Sequence, residues 1–152
     1  MRIGTMALAA AAMVFAGAAA HAGDGADASG PIAGRQAGML MSGALMGSIK
    51  GALDRGDDVK TLGFAARSIA TWANAIPGLF PAGSDQGDTE AMPAVWSDRA
   101  GFEARAKAYA DAAAKLADLA KAGDKDGFAA QFQVVRGTCN ECHRVYKKPD
   151  VH

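Results

Sequence analysis

Apolar residues recur at every third or fourth position along most of the chain beyond residue 30, a spacing that predicts amphipathic helices. The first helix is predicted from Pro31 to about Arg55. Its inward positions are Ile32, Arg35/Gln36, Met39, Ser42/Gly43, Met46, Ile49 and Leu53. Asp57 and Asp58 can cap a second helix, which ends at Pro77. Its apolar stripe is Val59, Leu62, Ala66, Ile69, Ala73 and Ile76.

The second half of the chain repeats this pattern after a long interruption. Residues 77–96 hold three prolines and three glycines without a helical period, so they are predicted to form the longest connection. A third helix is predicted from the cap Asp98 to about Ala122, and a fourth from Asp124 to Tyr146. No segment alternates like a strand. We therefore predict an all-α fold, an antiparallel four-helix bundle.

The first 22 residues have the pattern of a secretory signal peptide. Arg2 is followed by an almost uncharged stretch, and Ala20-His21-Ala22 places small residues where a signal peptidase requires them. A membrane-spanning anchor needs about 20 apolar residues, whereas the strongly apolar part here is shorter and mostly alanine. We expect cleavage after Ala22, which leaves residues 23–152 as one domain in the bacterial periplasm, with no membrane insertion.

Charge excludes two classes of partner. The chain of 152 residues has 16 basic and 16 acidic side chains, and its formal net charge at pH 7 is zero. No cluster of four or more Lys or Arg is present. We therefore expect neither nucleic acid nor an anionic membrane surface to be a partner.

One sequence motif indicates a cofactor. Residues Cys139-Asn140-Glu141-Cys142-His143 form the motif C-x-x-C-H, which is the attachment signature for c-type haem. Cys142 and His143 follow Cys139 by three and four residues, so the three side chains share one face of a helix. Two thiols can then bond to the two vinyl groups of one haem while the imidazole reaches the iron from the same side. The motif predicts one covalently attached haem c.

Two other uses of the cysteines are weaker. A tetrahedral zinc site needs about four ligands, and after signal cleavage the only further histidine is the terminal His152. A thiol–disulfide redox pair is normally found at a helix N-terminus, where the dipole lowers the thiol pKa. Cys139 and Cys142 instead lie near the end of the last predicted helix.

The chain resembles the class II cytochromes c, the cytochrome c-prime family, whose members carry the haem motif in the last helix of an exported four-helix bundle. The resemblance runs through the whole mature chain from about Pro31. It is carried by Cys139 to His143, Arg35-Gln36, Leu79-Phe80-Pro81-Ala82-Gly83-Ser84-Asp85, Gly87-Asp88-Thr89, Trp96 and Tyr146-Lys147. The resemblance also implies a possible homodimer formed through the first two helices.

The resemblance implies that His143 is one axial ligand of the iron, and it points to Met39 as the other. In the family the distal residue lies four positions after the first-helix arginine, and counting from Arg35 gives Met39. High-spin members carry an apolar side chain there, whereas low-spin members carry methionine. The alternative is that Met39 is a core residue, as bundle methionines often are. Met41 should face away, and Met46 should belong to the core.

Weaker candidates surround this site. Arg35 resembles the family arginine that meets a haem propionate, with a solvated side chain as the alternative. Lys147 matches a basic residue that flanks the proximal pocket, although a basic residue at a helix end is favourable in itself. Trp72, Trp96, Phe132 and Tyr146 can line the haem or serve as ordinary core.

With both His143 and Met39 on the iron, no position is open for a substrate, so the predicted function is electron transfer to periplasmic redox proteins. The chain is then not an enzyme. If Met39 does not bind, the protein is instead a five-coordinate cytochrome c-prime that binds nitric oxide or carbon monoxide. A peroxidase-like enzyme lacks a distal histidine or an acid–base pair in this sequence.

Overall fold

The computed structural model describes residues 29–149. The predicted signal peptide, residues 1–22, and the terminal His152 lie outside this described part. Within it the chain forms four long helices and one short helix, and the prediction of an all-α bundle is confirmed. The helices are α1 (Ser29–Arg55), α2 (Gly63–Ala75), the short α3 (Ala94–Ser97), α4 (Arg99–Ala122) and α5 (Lys125–Tyr146).

Aspartates begin the helices where the sequence predicted caps. The side chain of Asp98 accepts a hydrogen bond from the backbone N–H of Gly101 at 3.2 Å, and that of Asp124 accepts one from Gly127 at 2.9 Å. Gly123 adopts a left-handed φ of 76° at the end of α4, a conformation that favours glycine. Because only Gly123 and Asp124 join α4 to α5, these two helices pack as an antiparallel pair.

The second predicted helix differs from the prediction at both of its ends. Asp58 caps it as expected, by accepting a hydrogen bond from the N–H of Lys60 at 3.0 Å. The first turn, Val59–Leu62, is a 3₁₀ helix, and a second 3₁₀ turn, Ile76–Leu79, follows α2. Short 3₁₀ turns are frequent at helix ends, and they leave the hydrophobic period unchanged.

The core lies between α2, α4 and α5. Every residue of the apolar stripe predicted for the second helix is buried, and so are Phe102, Tyr109 and Leu116 of α4. Along α1 the stripe is less completely covered, since Met39 and Met46 are only partly buried. Among the described elements α1 packs mainly on α2, which leaves a space between α1 and α5. None of the described helices is long and apolar enough to cross a membrane.

Candidate haem site

The motif of α5 faces the space between α1, α4 and α5, where two adjoining cavities lie. Their volumes are about 270 and 440 Å³, comparable with cofactor sites of roughly 300–1,000 Å³. Both cavities are lined by Met39 from α1, Phe102 from α4, and Cys142 and His143 from α5. Cys139 lines the first cavity. The sequence motif therefore faces a largely apolar space of cofactor size.

The environment of the two cysteines does not favour the alternatives to haem attachment. Burial raises the pKa of the Cys139 thiol, and burial together with Cys139 raises the pKa of Cys142 to about 11, against an opposing effect of Arg105. A redox-active pair instead uses a lowered thiol pKa. Within residues 29–149, no three His, Cys, Asp or Glu side chains come together as metal ligands. The donor set, two thiols and one imidazole on one face, fits a c-type haem.

The first-helix methionines occupy three different environments. Met39 lines both cavities, as does His143 on the opposite helix. Met46 lines only the first cavity. Met41 is 66% exposed on the outer surface, which confirms the prediction that it faces away. Met39 is therefore the α1 methionine that shares both cavities with the motif.

Arg35 is buried, and the alternative of a solvated side chain is wrong. Arg35 lines the second cavity, and only 3% of the surface of this residue is exposed. The guanidinium donates hydrogen bonds to Ser84 Oγ at 2.8 Å, Ser84 O at 2.7 Å and Thr89 Oγ1 at 2.6 Å, and a longer one to Leu79 O at 3.3 Å. It also lies 4.5 Å from the centre of the Phe80 ring. Burial lowers the pKa of Arg35.

These bonds show a role for Arg35 that the sequence did not predict. The arginine fixes the long connection between α2 and α3 against α1, and Gln36 adds a bond to the carbonyl of Asp88 at 2.9 Å. The same connection is held from the other side, because Trp96 Nε1 donates to the carbonyl of Pro81 at 2.9 Å. The segment expected to be an irregular loop is therefore a packed wall of the second cavity.

A polar pair inside the first cavity also escaped the sequence analysis. The hydroxyl groups of Ser42 on α1 and Tyr109 on α4 lie 2.8 Å apart, and both residues are buried. Burial raises the pKa of Tyr109 to about 12. Ser42 belongs to the inward stripe predicted for the first helix, but periodicity alone does not tell which residue of another helix it meets. Ser42 follows Met39 by about one helical turn, and both residues line the first cavity.

The remaining candidates fall into two groups. Lys147 and Tyr146 line the second cavity, and Lys147 Nζ lies 3.4 Å from Glu90 Oε2. Trp72, Trp96 and Phe132 are not among the residues that line either cavity and pack with the core instead. Trp72 rests on Gly38, where a Cβ atom would collide with the indole ring. The aromatic ring that the sequence analysis missed is Phe102, which lines both cavities.

A four-helix bundle whose C-terminal C-x-x-C-H motif faces a cavity between helices defines a c-type cytochrome of the bundle class. The sequence model of the family described as Cytochrome C′ matches residues 30–147. The chain belongs to this family. Its cofactor is one covalently attached c-type haem, and this confirms the cofactor prediction.

Relatives in the family carry more than one name. Cytochrome c-556 from Agrobacterium tumefaciens (strain B2A) is 35% identical over 122 residues, which cover 78% of this chain and 97% of the relative. Several other relatives are named cytochrome c′, and the matches span 54 to 67% of their lengths.

Two solved structures share the fold. A nitric oxide complex of a mutant cytochrome c prime from Alcaligenes xylosoxidans superimposes with a TM-score of 0.75 and 26% identity, covering 84% of this chain and all of the other. A cytochrome c′ described as having ligand-controlled dimer dissociation gives a TM-score of 0.76 and 29% identity, covering 83% of this chain and all of the other. The bundle fold and the family assignment are therefore consistent.

Proposed function

We propose that this protein is an electron carrier in which Cys139 and Cys142 attach the haem and His143 and Met39 bind its iron from opposite sides. The observation that carries the proposal is that Met39 and His143, which come from different helices, line the same two cavities. Met39 also follows the first-helix arginine by four positions, as the distal residue of the family does. The subtype is thus the low-spin, methionine-ligated form.

A tethered thioether suits electron transfer for physical reasons. The haem supplies one-electron redox chemistry when it is bound. A methionine ligand opposite a histidine raises the reduction potential relative to two imidazoles. Because Met39 and His143 would fill both axial positions, the site would offer no open position to a substrate. Apart from His143, neither cavity has a histidine among its lining residues within the described chain, so we propose no enzymatic activity.

Arg35 supports the placement of a carboxylate at the edge of the second cavity. Its cationic group is buried, and the acceptors described above are all neutral oxygen atoms. A buried charge is stabilised by a group of opposite charge, and a haem propionate is such a group. We propose that Arg35 meets a propionate while it holds the connecting segment in place.

Gas binding is the second candidate function, and the comparisons favour it more directly than they favour the first. Several relatives are named cytochrome c′, and the solved cytochrome c prime from Alcaligenes xylosoxidans is a nitric oxide complex. If Met39 does not bind the iron, the distal position is open to nitric oxide or carbon monoxide. Met39 would then be an apolar lining residue.

Location and assembly belong to the same proposal. We propose that residues 1–22 are removed on export and that residues 23–152 act in the periplasm, exchanging electrons with redox proteins there. A homodimer is supported by the outer surface of α1 and α2, where Leu40, Met41 and Phe64 are 77, 66 and 73% exposed. Exposed apolar surfaces of this kind often mark interfaces, and one solved relative is described as a dimer.

Visible spectra of the purified protein in both oxidation states test the leading function. A low-spin spectrum in both states is expected if Met39 occupies the distal position. A high-spin spectrum in either state would favour the gas-binding function, because a high-spin haem iron has no strong sixth ligand.

A further inference from the structure

A basic surface, whose cations have no acidic partner among residues 29–149, borders the outer side of the haem site. We propose that this basic surface, formed by Arg136, Arg144 and Lys148, is the docking site for a redox partner whose own surface is acidic. The proposal rests on the electron-carrier function, since it names the partner class and the place where electrons enter or leave. All three residues are exposed.

The three cations lack acidic partners within residues 29–149. Arg136 donates to the amide oxygen of Gln133 at 3.3 Å, and Lys148 donates to the backbone carbonyl of Thr89 at 2.7 Å. Both acceptors are neutral. Arg144 forms no ion pair with a described residue. The nearby acids are already paired, because Glu141 lies 2.5 Å from Arg105 and Glu90 lies 3.4 Å from Lys147.

Elsewhere in the described chain, several exposed cations form ion pairs with acidic residues of the same helix. Lys50 with Asp54, Arg99 with Glu103, and Lys107 with Asp111 form ion pairs at i and i+4. The net charge of the whole chain is zero. Other exposed cations, such as Lys60, Lys115 and Lys121, also have no ion pair among the described residues. The basic surface differs from them because it lies beside the haem site, where a local field steers the approach of a charged partner.

The position of the surface connects it to the redox centre. Arg144 and Lys148 line an open groove on the outer side of α5, and His143 lines the same groove as well as both haem cavities. Arg136 lines the first cavity, one turn before Cys139. A partner seated on the basic surface would thus lie against the residue proposed to bind the iron.

The charge and size of the surface fit an acidic protein better than a membrane. Clusters of about 4 to 8 basic residues are typical of lipid binding, with about 1 kcal/mol for each. Three cations fall short of this number. Weak redox encounters bury less than about 1,200 Å² and depend on complementary charge for their rate, which three exposed cations beside a redox centre can supply.

The test uses two small reductants of opposite charge with the ferric holoprotein. Iron(II)–EDTA is an anion and hexaammineruthenium(II) is a cation, and each gives up one electron to the protein without bond formation. At low ionic strength, about 0.01 M, where charges act over about 30 Å, we expect Arg144→Glu to slow the anionic reductant about fivefold. The cationic reductant should become faster. Both effects should fade in about 1 M salt.

Lys121→Glu is the matched control, because it makes the same change in net charge at the far end of α4. We expect it to alter either rate less than twofold. Equal effects of Arg144→Glu and Lys121→Glu would overturn the proposal. A change of the same sign with both reductants would also overturn it, since that result reports a changed redox centre and not a local field. Lys148→Glu provides a second variant, expected to act in the same direction as Arg144→Glu.

A binding measurement identifies the class of partner. Poly-L-glutamate is expected to bind the wild-type holoprotein at low ionic strength, with affinity reduced severalfold in Arg144→Glu and unchanged in Lys121→Glu. Co-sedimentation with phosphatidylglycerol vesicles in preference to the polypeptide would contradict an acidic protein partner. Failure of the electron-carrier function is seen separately, as a high-spin wild-type spectrum, and does not depend on the ratio of the two rates.

Discussion

Arg35 and Ser84 are 49 positions apart in the chain, yet two hydrogen bonds join them. Arg35 Nη1 donates to Ser84 Oγ at 2.8 Å, and Nη2 donates to the carbonyl oxygen of Ser84 at 2.7 Å. Both residues are buried. This pair fixes the segment that follows α2 against α1, and the second cavity depends on that wall.

Replacement of Arg35 by methionine should therefore destabilise the holoprotein. The change leaves the buried oxygen atoms of Ser84 and Thr89 without their charged donor, and hydrogen bonds to charged groups are worth about 1.5 to 3 kcal/mol. We expect the free energy of unfolding, measured in urea, to fall by about 3 kcal/mol. Gln36→Ala is the control, since its bond to Asp88 is exposed and should cost less than about 1 kcal/mol. Equal losses would contradict the role of Arg35.

Tyr109 should make the protein less stable at alkaline pH. Its pKa is raised to about 12 by burial, whereas an unfolded tyrosine ionises near 10. Between these values the unfolded state has lost the proton and the folded state has kept it. The stabilising contribution is therefore complete below about pH 10 and declines as the pH rises toward 12, by about 1 kcal/mol per pH unit.

Urea unfolding of wild type and Tyr109→Phe at several pH values measures this effect. Phenylalanine has no proton to lose, so the difference in stability between the two proteins should shift in favour of the variant above pH 10. Ser42→Ala keeps the tyrosine and should retain the alkaline decline. A pH-independent difference between wild type and Tyr109→Phe would show that Tyr109 is not the titrating group.

Haem attachment should depend on both cysteines of the motif. In the double variant Cys139→Ala, Cys142→Ala, acidified organic solvent should extract the haem, because only the two thioether bonds hold it covalently. The double variant prepared without haem should also unfold more easily than the wild-type holoprotein, since an empty cavity of this size removes apolar burial. Haem that resists extraction in this variant would rule out attachment through Cys139 and Cys142.

Assembly should respond to a charge on the exposed surface of α1 and α2. Phe64→Asp places a carboxylate where an apolar ring is 73% exposed. If two copies pair through this surface, sedimentation should show a dimer for wild type and a monomer for Phe64→Asp. Val134→Asp, on the outer surface of α5, is the control and should leave the dimer intact. A wild-type monomer at high concentration would contradict pairing.

The helices and the motif could be predicted from local sequence because both depend on residues a few positions apart. Asp98 and Asp124 cap helices as expected, and the stripe that begins at Val59 is buried throughout. The partners of Arg35 could not be predicted in this way. Its inward position was clear from the period, but Ser84 and Thr89 lie in a segment without a period, so their approach depends on tertiary packing.

The haem cavity could be predicted from the sequence only in part. The Cys139 spacing placed the motif on one helical face, and the family position of Met39 placed it opposite. Phe102 and the Ser42–Tyr109 pair were not predicted as part of the site, because a stripe shows that a residue faces inward without showing which helix it meets. The space between α1 and α5 follows from packing that periodicity does not describe.

Met39→Leu tests the central claim most directly. Leucine keeps nearly the same volume, so the bundle should survive at a cost below about 1.5 kcal/mol, while the thioether is lost. Wild type should be low-spin and bind carbon monoxide slowly, because an added ligand must displace a tethered one. Met39→Leu should be high-spin and bind carbon monoxide about tenfold faster or more, whereas Met46→Leu and Met41→Leu should match wild type. A Met39→Leu protein that stays low-spin, or a wild type that is already high-spin, would contradict ligation by Met39.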